Sequence, residues 1–226
     1  MSRTAKERTK HILIAPTLAF FIGLTLFPLI FTIVVSLSHL PLGGKFQFRG
    51  LENYSRLITD RTFLIALKNT LIITVIAVII EYLLGLGLAL LVGREIRGGR
   101  VIRLLILLPM MMPPVAVGFM WKLLYHQTLG PINHILKLMS LPTFPWTTQP
   151  GWALFSIILV DVWQWISFIF IILLAAIVSL PREPFESAKV DGATSWQIFR
   201  DMTFPLILPA SIGAILLRSI ELFKLS

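Results

Sequence analysis

Cysteine is absent from this 226-residue chain, which excludes disulfides, thiolate metal sites and cysteine nucleophiles. Charge is scarce too: 14% of the residues are Asp, Glu, Lys or Arg, against about 25% in an ordinary soluble domain. With 56% hydrophobic side chains and a mean hydropathy of +0.86, that shortage excludes a disordered chain, a nucleic-acid-binding domain and most water-soluble enzymes. The phosphate-cradling string G-x-x-x-x-G-K-[ST] is missing, so ATP cannot be bound by that route. Neither a G-x-S-x-G elbow nor an intramembrane Asp pair occurs, and no enzymatic activity or catalytic residue is expected. Gly85 and Gly87 lack the third glycine of a dinucleotide loop. His11, His39, His126 and His134 lack the i, i+4 spacing of a helical metal pair, so no metal site or cofactor is expected. What is present is a net charge of +9, carried in short basic clusters between long apolar runs. That is the pattern of membrane ends, and the lipid bilayer, not nucleic acid, is the partner it implies.

A spanning helix needs roughly 20 mostly apolar residues. Five stretches qualify: Ile12 to Leu37, Lys68 to Gly93, Val101 to Tyr125, Trp152 to Leu180 and Phe204 to Leu225. Backbone groups cannot go unpaired in lipid, and no alternating segments point to a barrel. The expected fold class is therefore all-α, a polytopic transmembrane helical bundle. Residues 1–11 form a short polar segment and 12–226 the membrane domain, with the first span read as an uncleaved signal anchor. Arg3, Lys6, Arg8 and Lys10 precede that span, Arg94, Arg97, Arg100 and Arg103 crowd the second connection, and Arg182, Lys189 and Arg200 lie in the fourth. These residues, 11 of the 20 Lys and Arg, fall on one side if the helices alternate, which places the N-terminus in the cytoplasm. Lys45, Arg49, Arg56, Arg61 and Lys68 fall on the other side, in a longer connection that weighs less.

Polar and irregular residues inside the spans mark candidate pathway positions. Gly85, Ala89 and Gly93 form a small-residue stripe, expected to admit another helix backbone. Pro109, Pro113 and Pro114 interrupt the third span; a structural kink and a bent helix lining a pathway both remain open. Charges inside the spans are few, and away from their ends stand Glu81, Asp161, Arg218 and Glu221. An ionisable group in hydrocarbon costs several kcal/mol, so each is expected to face protein or water. Arg218 and Glu221, three residues apart, are expected to satisfy each other. Glu81 and Asp161 have no partner visible in the sequence and are candidate pathway residues.

The connection over residues 181–203 divides into two short helical pieces around Gly192. Pro184 suits a first turn. Thr194 and Gln197 form a capping-box pattern that restarts a helix, on which Trp196, Phe199 and Met202 give an apolar edge while Arg200 and Asp201 face water. Such a helix-turn-helix fits a groove on another protein or, alternatively, lies on lipid. An ion-coupled secondary transporter using Glu81 or Asp161 is the competing function; against it stand this connection and the lack of a visible internal repeat.

The string Glu186-Ser-Ala-x-x-Asp191-Gly-Ala193, with Trp196-Gln197, Phe199, Pro205 and Pro209, resembles the EAA loop of binding-protein-dependent ABC transporter permeases of the sugar type. Leu51-Glu-Asn-Tyr54, Asn69-Thr70, Gly85-Leu-Gly-Leu-Ala-Leu90, Leu108-Pro109, Gly130-Pro-Ile-Asn133 and Val162-Trp-Gln164 resemble further features of that family, in the same order. The resemblance implies a bacterial inner-membrane, multi-pass translocation subunit of an ATP-driven importer for a sugar, polyol or glycerol-phosphate solute. It also implies a second permease subunit, a dimer of cytoplasmic ATPase subunits that bind the ATP, and an extracytoplasmic solute-binding protein. The EAA segment would be the coupling helix, with Glu186 the acidic contact, Ser187 in place of a frequent alanine, Ala188 a close-packing position and Gly192 the turn. The family's core has a sixth helix beyond the five spans found here, so the resemblance also implies a C-terminally truncated chain.

Overall fold

The computed structural model describes residues 3–39, 46–93 and 98–224, with side chains from residue 14 onward. The side chains of Arg3, Lys6, Arg8, Lys10 and His11, and the residues Lys45, Arg94, Arg97 and Leu225, lie outside the described part. Two compact units divide the chain, Met1–Ile65 and Ala66–Ser226.

In the first unit, α1 (Arg3–Ser36) leads into two short antiparallel strands, β1 (Ser38–His39) and β2 (Gln47–Phe48), paired Ser38 to Phe48 and His39 to Gln47, and then into α2 (Glu52–Thr59). The last carbonyls of a helix lack intrahelical donors. Here Asn53 supplies them, its Nδ2 donating to the Ser36 and Ser38 carbonyls at 2.8 Å each. Tyr54 adds a bond from its hydroxyl to Ser36 Oγ. Glu52 accepts from Arg49 and Arg56 on either side. The Leu51 to Tyr54 string therefore builds a clasp at the end of the first apolar helix.

α3 (Arg61–Val92) starts seven residues before the apolar stretch that marks it in the sequence. Asp60 caps it, accepting from the Thr62 and Phe63 amides at 2.7 and 3.2 Å, and a capped polar turn extends a helix beyond its apolar length. In the second unit follow α4 (Gly99–Met111), α5 (Pro114–Leu124), α6 (Pro131–Leu138), α7 (Pro150–Val178), α8 (Arg182–Val190), α9 (Ser195–Ile198), a π turn (Phe199–Thr203) and α10 (Phe204–Lys224). Among the described residues four helices are long and apolar enough to cross a membrane: Ile14–Ser36, Arg61–Val92, Pro150–Val178 and the run Ser195–Lys224. The α4–α5 pair, bent by 92°, makes a fifth if it is one span.

Two sequence expectations are corrected. Val101 to Tyr125 is not one kinked helix but two, because Pro113 and Pro114 both lack the N–H that would carry the ladder across. The second piece of the 181–203 connection is also not separate from the last span. It runs on into α10 through the π turn, where Pro205 cannot donate and the Phe204 amide reaches back to the Phe199 carbonyl.

The core lies where α3, α7 and α10 meet. Leu86, Ala89, Val92, Ile169, Phe170, Leu173, Leu174 and Ile207 form one cluster; Ala77, Val78, Ile158 and Leu222 form another. The small-residue stripe is what brings α3 and α7 together: a Cβ at Gly85 would stand 3.0 Å from Ile169 Cγ2 and 3.2 Å from the Phe170 amide nitrogen. Gly85→Val is therefore expected to lower the thermal unfolding midpoint in detergent, overpacking costing about 1–3 kcal/mol. Gly87→Val is the control, since nothing lies within 4 Å of a Cβ there; equal midpoints for the two would refute the close approach. Between α5 and α7, Asn133 is buried and takes four bonds. It donates to the Gln127 and Phe144 carbonyls and accepts from the Phe144 amide and Trp146 Nε1.

Candidate functional site

Arg218 on α10 is fully buried, and its guanidinium joins three helices. Its Nε and Nη2 donate to the two carboxylate oxygens of Glu81 on α3 at 2.9 and 3.1 Å, and Nη2 also donates to Asp161 Oδ2 on α7 at 2.5 Å. Trp165, one turn along α7 from Asp161, lays its ring 4.8 Å below the guanidinium carbon. The expected pairing of Arg218 with Glu221 is present as a loose ion pair, 3.8 Å from Nη1 and beyond hydrogen-bond reach, while the hydrogen bonds of the guanidinium go to Glu81 and Asp161. The physical reason is desolvation. Glu81 is as buried as Arg218 and needs a cation, whereas the Glu221 side chain is 42% exposed and depends on one less. A fork-shaped guanidinium suits two carboxylates at once, which an ammonium would not. Glu81 and Asp161 are thus brought together, with a partner that lies 137 residues from the first and 57 from the second.

The broken span faces the same helix. Pro109, Pro113 and Pro114 do not join the charge cluster; they set the bend. Met112 and Pro113 are extended, the Met112 amide reaches only the Pro109 carbonyl, and α5 begins with the Val117 amide on the Pro113 carbonyl. The Met112 carbonyl is left without a helical donor and accepts instead from Gln164 Nε2 on α7 at 3.1 Å. One turn further along α7, the buried Ser167 hydroxyl donates to the Ile106 carbonyl of α4. Asp161, Gln164 and Ser167, spaced by three, therefore make one polar stripe on an otherwise apolar helix. Ser167 and Trp165 are site residues that the sequence did not single out, Gln164 entered only within the Val162-Trp-Gln164 string, and Arg218 was given Glu221 as its one partner. The signal that could have found them was the stripe itself and the charge balance across spans.

The 182–203 segment forms the third part. α8 ends at Asp191 in a Schellman arrangement: the Gly192 amide donates to the Lys189 carbonyl and the Ala193 amide to the Ala188 carbonyl, with Gly192 at φ +83°. Thr194 then caps α9, accepting from the Gln197 amide while Gln197 Oε1 accepts from the Thr194 amide, the reciprocal box its spacing predicts. Trp196 is 64% exposed and stacks at 5.5 Å on Phe199, which packs on Phe204. Glu186, Ser187, Asp191 and Gly192 are exposed, and Ala188 and Ala193 half-buried. Arg200 and Asp201 form a two-bond ion pair facing out. A cleft of about 530 Å³ opens between this segment and the ends of α3 and α7, walled by Leu90, Ile177, Phe185, Ile198 and Phe199, with Glu186 at its edge.

Residues 81–226 match the family described as binding-protein-dependent transport system inner membrane component. The probable ABC transporter permease protein y4oQ of Sinorhizobium fredii is 38% identical over 185 residues, 80% of this chain and 60% of that protein. The trehalose/maltose transport system permease protein MalF of Thermococcus litoralis is 30% identical over 215 residues, 95% of this chain and 73% of that one. Among solved structures, a bacterial alginate ABC transporter in complex with an alginate pentasaccharide-bound periplasmic protein matches at 25% identity with a TM-score of 0.81, covering 95% of this chain and 72% of the other. The chain spans 60% of the length of the first of these proteins and 73% of the second.

Proposed function

We propose a function for a chain that belongs to the family of binding-protein-dependent transport system inner membrane components: it forms part of the translocation pathway of an ATP-driven importer and receives its mechanical input through the 182–203 segment. The observation that carries this reading is that segment. Two capped helical pieces around a left-handed glycine, with an exposed tryptophan and an acidic residue at the edge of an apolar cleft, form a preorganised docking element. Glu186, Ser187, Ala188, Asp191, Gly192, Ala193, Trp196 and Phe199 are its contact and framework residues. A cytoplasmic ATPase dimer is the partner that would supply the energy, since the chain has no phosphate-binding loop of its own. A second permease subunit and an extracytoplasmic solute-binding protein complete the assembly.

The solute is a carbohydrate or a related polyol or glycerol phosphate, by analogy with the sugars in the names of its relatives. The chain is a multi-pass protein of the plasma membrane, with its N-terminus and the 182–203 segment cytoplasmic. The pathway passes the bend at Pro109, Pro113 and Pro114 and the charge cluster of Glu81 and Asp161. Both carboxylates that an ion-coupled carrier would need are bonded to Arg218, which counts against that alternative. The test is co-purification: the affinity-tagged protein, solubilised from its native membrane, is expected to bring a P-loop ATPase with it. Purification alone, with solute uptake abolished by a protonophore at constant ATP, would favour the ion-coupled reading.

A further inference from the structure

Two successive prolines leave the bend between α4 and α5 unable to close by main-chain bonds across it, so side chains must set its angle. The Met112 carbonyl at the bend is held by Gln164, which is 95% buried on α7 and so cannot be replaced freely by bulk water. One turn before Gln164, Asp161 is committed to Arg218; one turn after it, Ser167 holds Ile106 of α4. The stripe therefore has unequal members. Asp161 belongs to a buried ion cluster that is costly to open, whereas the Gln164 bond is neutral and exchangeable.

We propose that Gln164 is a positioning residue of the transport cycle: a neutral latch that holds the α4–α5 bend against a frame of α3, α7 and α10, and whose release lets α5 swing during transport. The inference rests on the pathway reading given above. Released, the Met112 carbonyl turns to water in the opened pathway, and re-formed, the bond returns the bend to its closed angle. One neutral hydrogen bond biases two arrangements by about fivefold, enough to weight a cycle without locking it. Ser167 anchors the α4 side and does not exchange, because its carbonyl partner lies inside a helix rather than at the break.

The 226-residue sequence has no cysteine, so a cysteine introduced at Met110 is the one thiol within it, and its labelling is followed on the peptide that carries it. In the complete transporter reconstituted in vesicles, the rate of its reaction with a small methanethiosulfonate is measured in the nucleotide-free and vanadate-trapped states. The rates are expected to differ between states in the parent. In Gln164→Met and in Gln164→Leu, both of which are of similar volume and lose the donor, the difference is expected to shrink by about fivefold. Gln164→His, which keeps a donor, is expected to restore part of it. Unfolding midpoints in detergent separate this from a packing defect, and either donor-less variant that assembles suffices. A parent-like difference in an assembled donor-less variant overturns the latch and leaves the pathway reading standing. A thiol in the parent that reacts equally in both states overturns both.

Discussion

Arg218→Met is expected to abolish the folded protein, seen as loss of the monodisperse peak in size-exclusion chromatography of detergent extracts. The substitution keeps the length and apolar packing of the side chain but leaves Glu81, with no exposed surface, and Asp161, at 12% exposure, without their cation. Breaking a buried ion pair by removing one partner costs about 3–5 kcal/mol, and the whole stability of a domain is only about 5–15 kcal/mol. Here one guanidinium serves two carboxylates, so the loss lies at the upper end of that range. Arg218→Lys keeps the charge and loses the fork; it is expected to fold with a lowered midpoint. Combining Arg218→Met with Glu81→Gln and Asp161→Asn removes the unpaired charges and is expected to recover most of the folded material. A monodisperse Arg218→Met protein with an unchanged midpoint would mean that the cluster does not hold the three helices together.

Gly192→Val is expected to release the ATPase while leaving the permease in the membrane. A Cβ at this position meets nothing within 4 Å, so the effect does not come from a clash. It comes from φ +83°, which a β-branched residue adopts only at a cost of about 1–3 kcal/mol. The exposed segment relieves that strain by abandoning the turn, which breaks the Ala193 to Ala188 bond and re-aims α8 relative to α9. Glu186→Ala, by contrast, removes one exposed charge and leaves the frame intact, so partial retention is expected. Pull-down of the ATPase from detergent reads both. Full retention in Gly192→Val would take this segment out of the coupling mechanism.

Helices were legible where apolar length or local chemistry specifies them, and illegible where partners distant in sequence decide. The Thr194–Gln197 box and the turn at Gly192 depend on residues within a few positions of one another, and both form as their spacing predicts. The small stripe of Gly85, Ala89 and Gly93 was readable because residues four apart share a face whatever the partner is. By contrast, the stronger partners of Arg218 were not visible in the sequence, which showed only the looser ion pair with Glu221. Local spacing pointed to Glu221, but burial favours carboxylates contributed by α3 and α7, and depth within a bundle is not a local property. Counting charges by depth, one cation against Glu81 and Asp161 in two other spans, would have exposed the cluster. The three prolines announced an interruption but not its size; the 92° bend follows from two adjacent residues without donors and from Gln164 holding the freed carbonyl. Ser167 gave no sign in an apolar run and Gln164 entered only through the Val162-Trp-Gln164 string, because single polar residues are common there and only their common spacing with Asp161 marks them as one stripe.

The most direct measurement of the central claim is the energy source of solute uptake in vesicles containing the complete transporter and its solute-binding protein. ATP enclosed on the cytoplasmic side is predicted to drive accumulation of a carbohydrate solute, with hydrolysis rising when loaded binding protein is added outside and with no change on collapsing the proton and sodium gradients. Uptake that persists without ATP and disappears with those gradients would contradict the account.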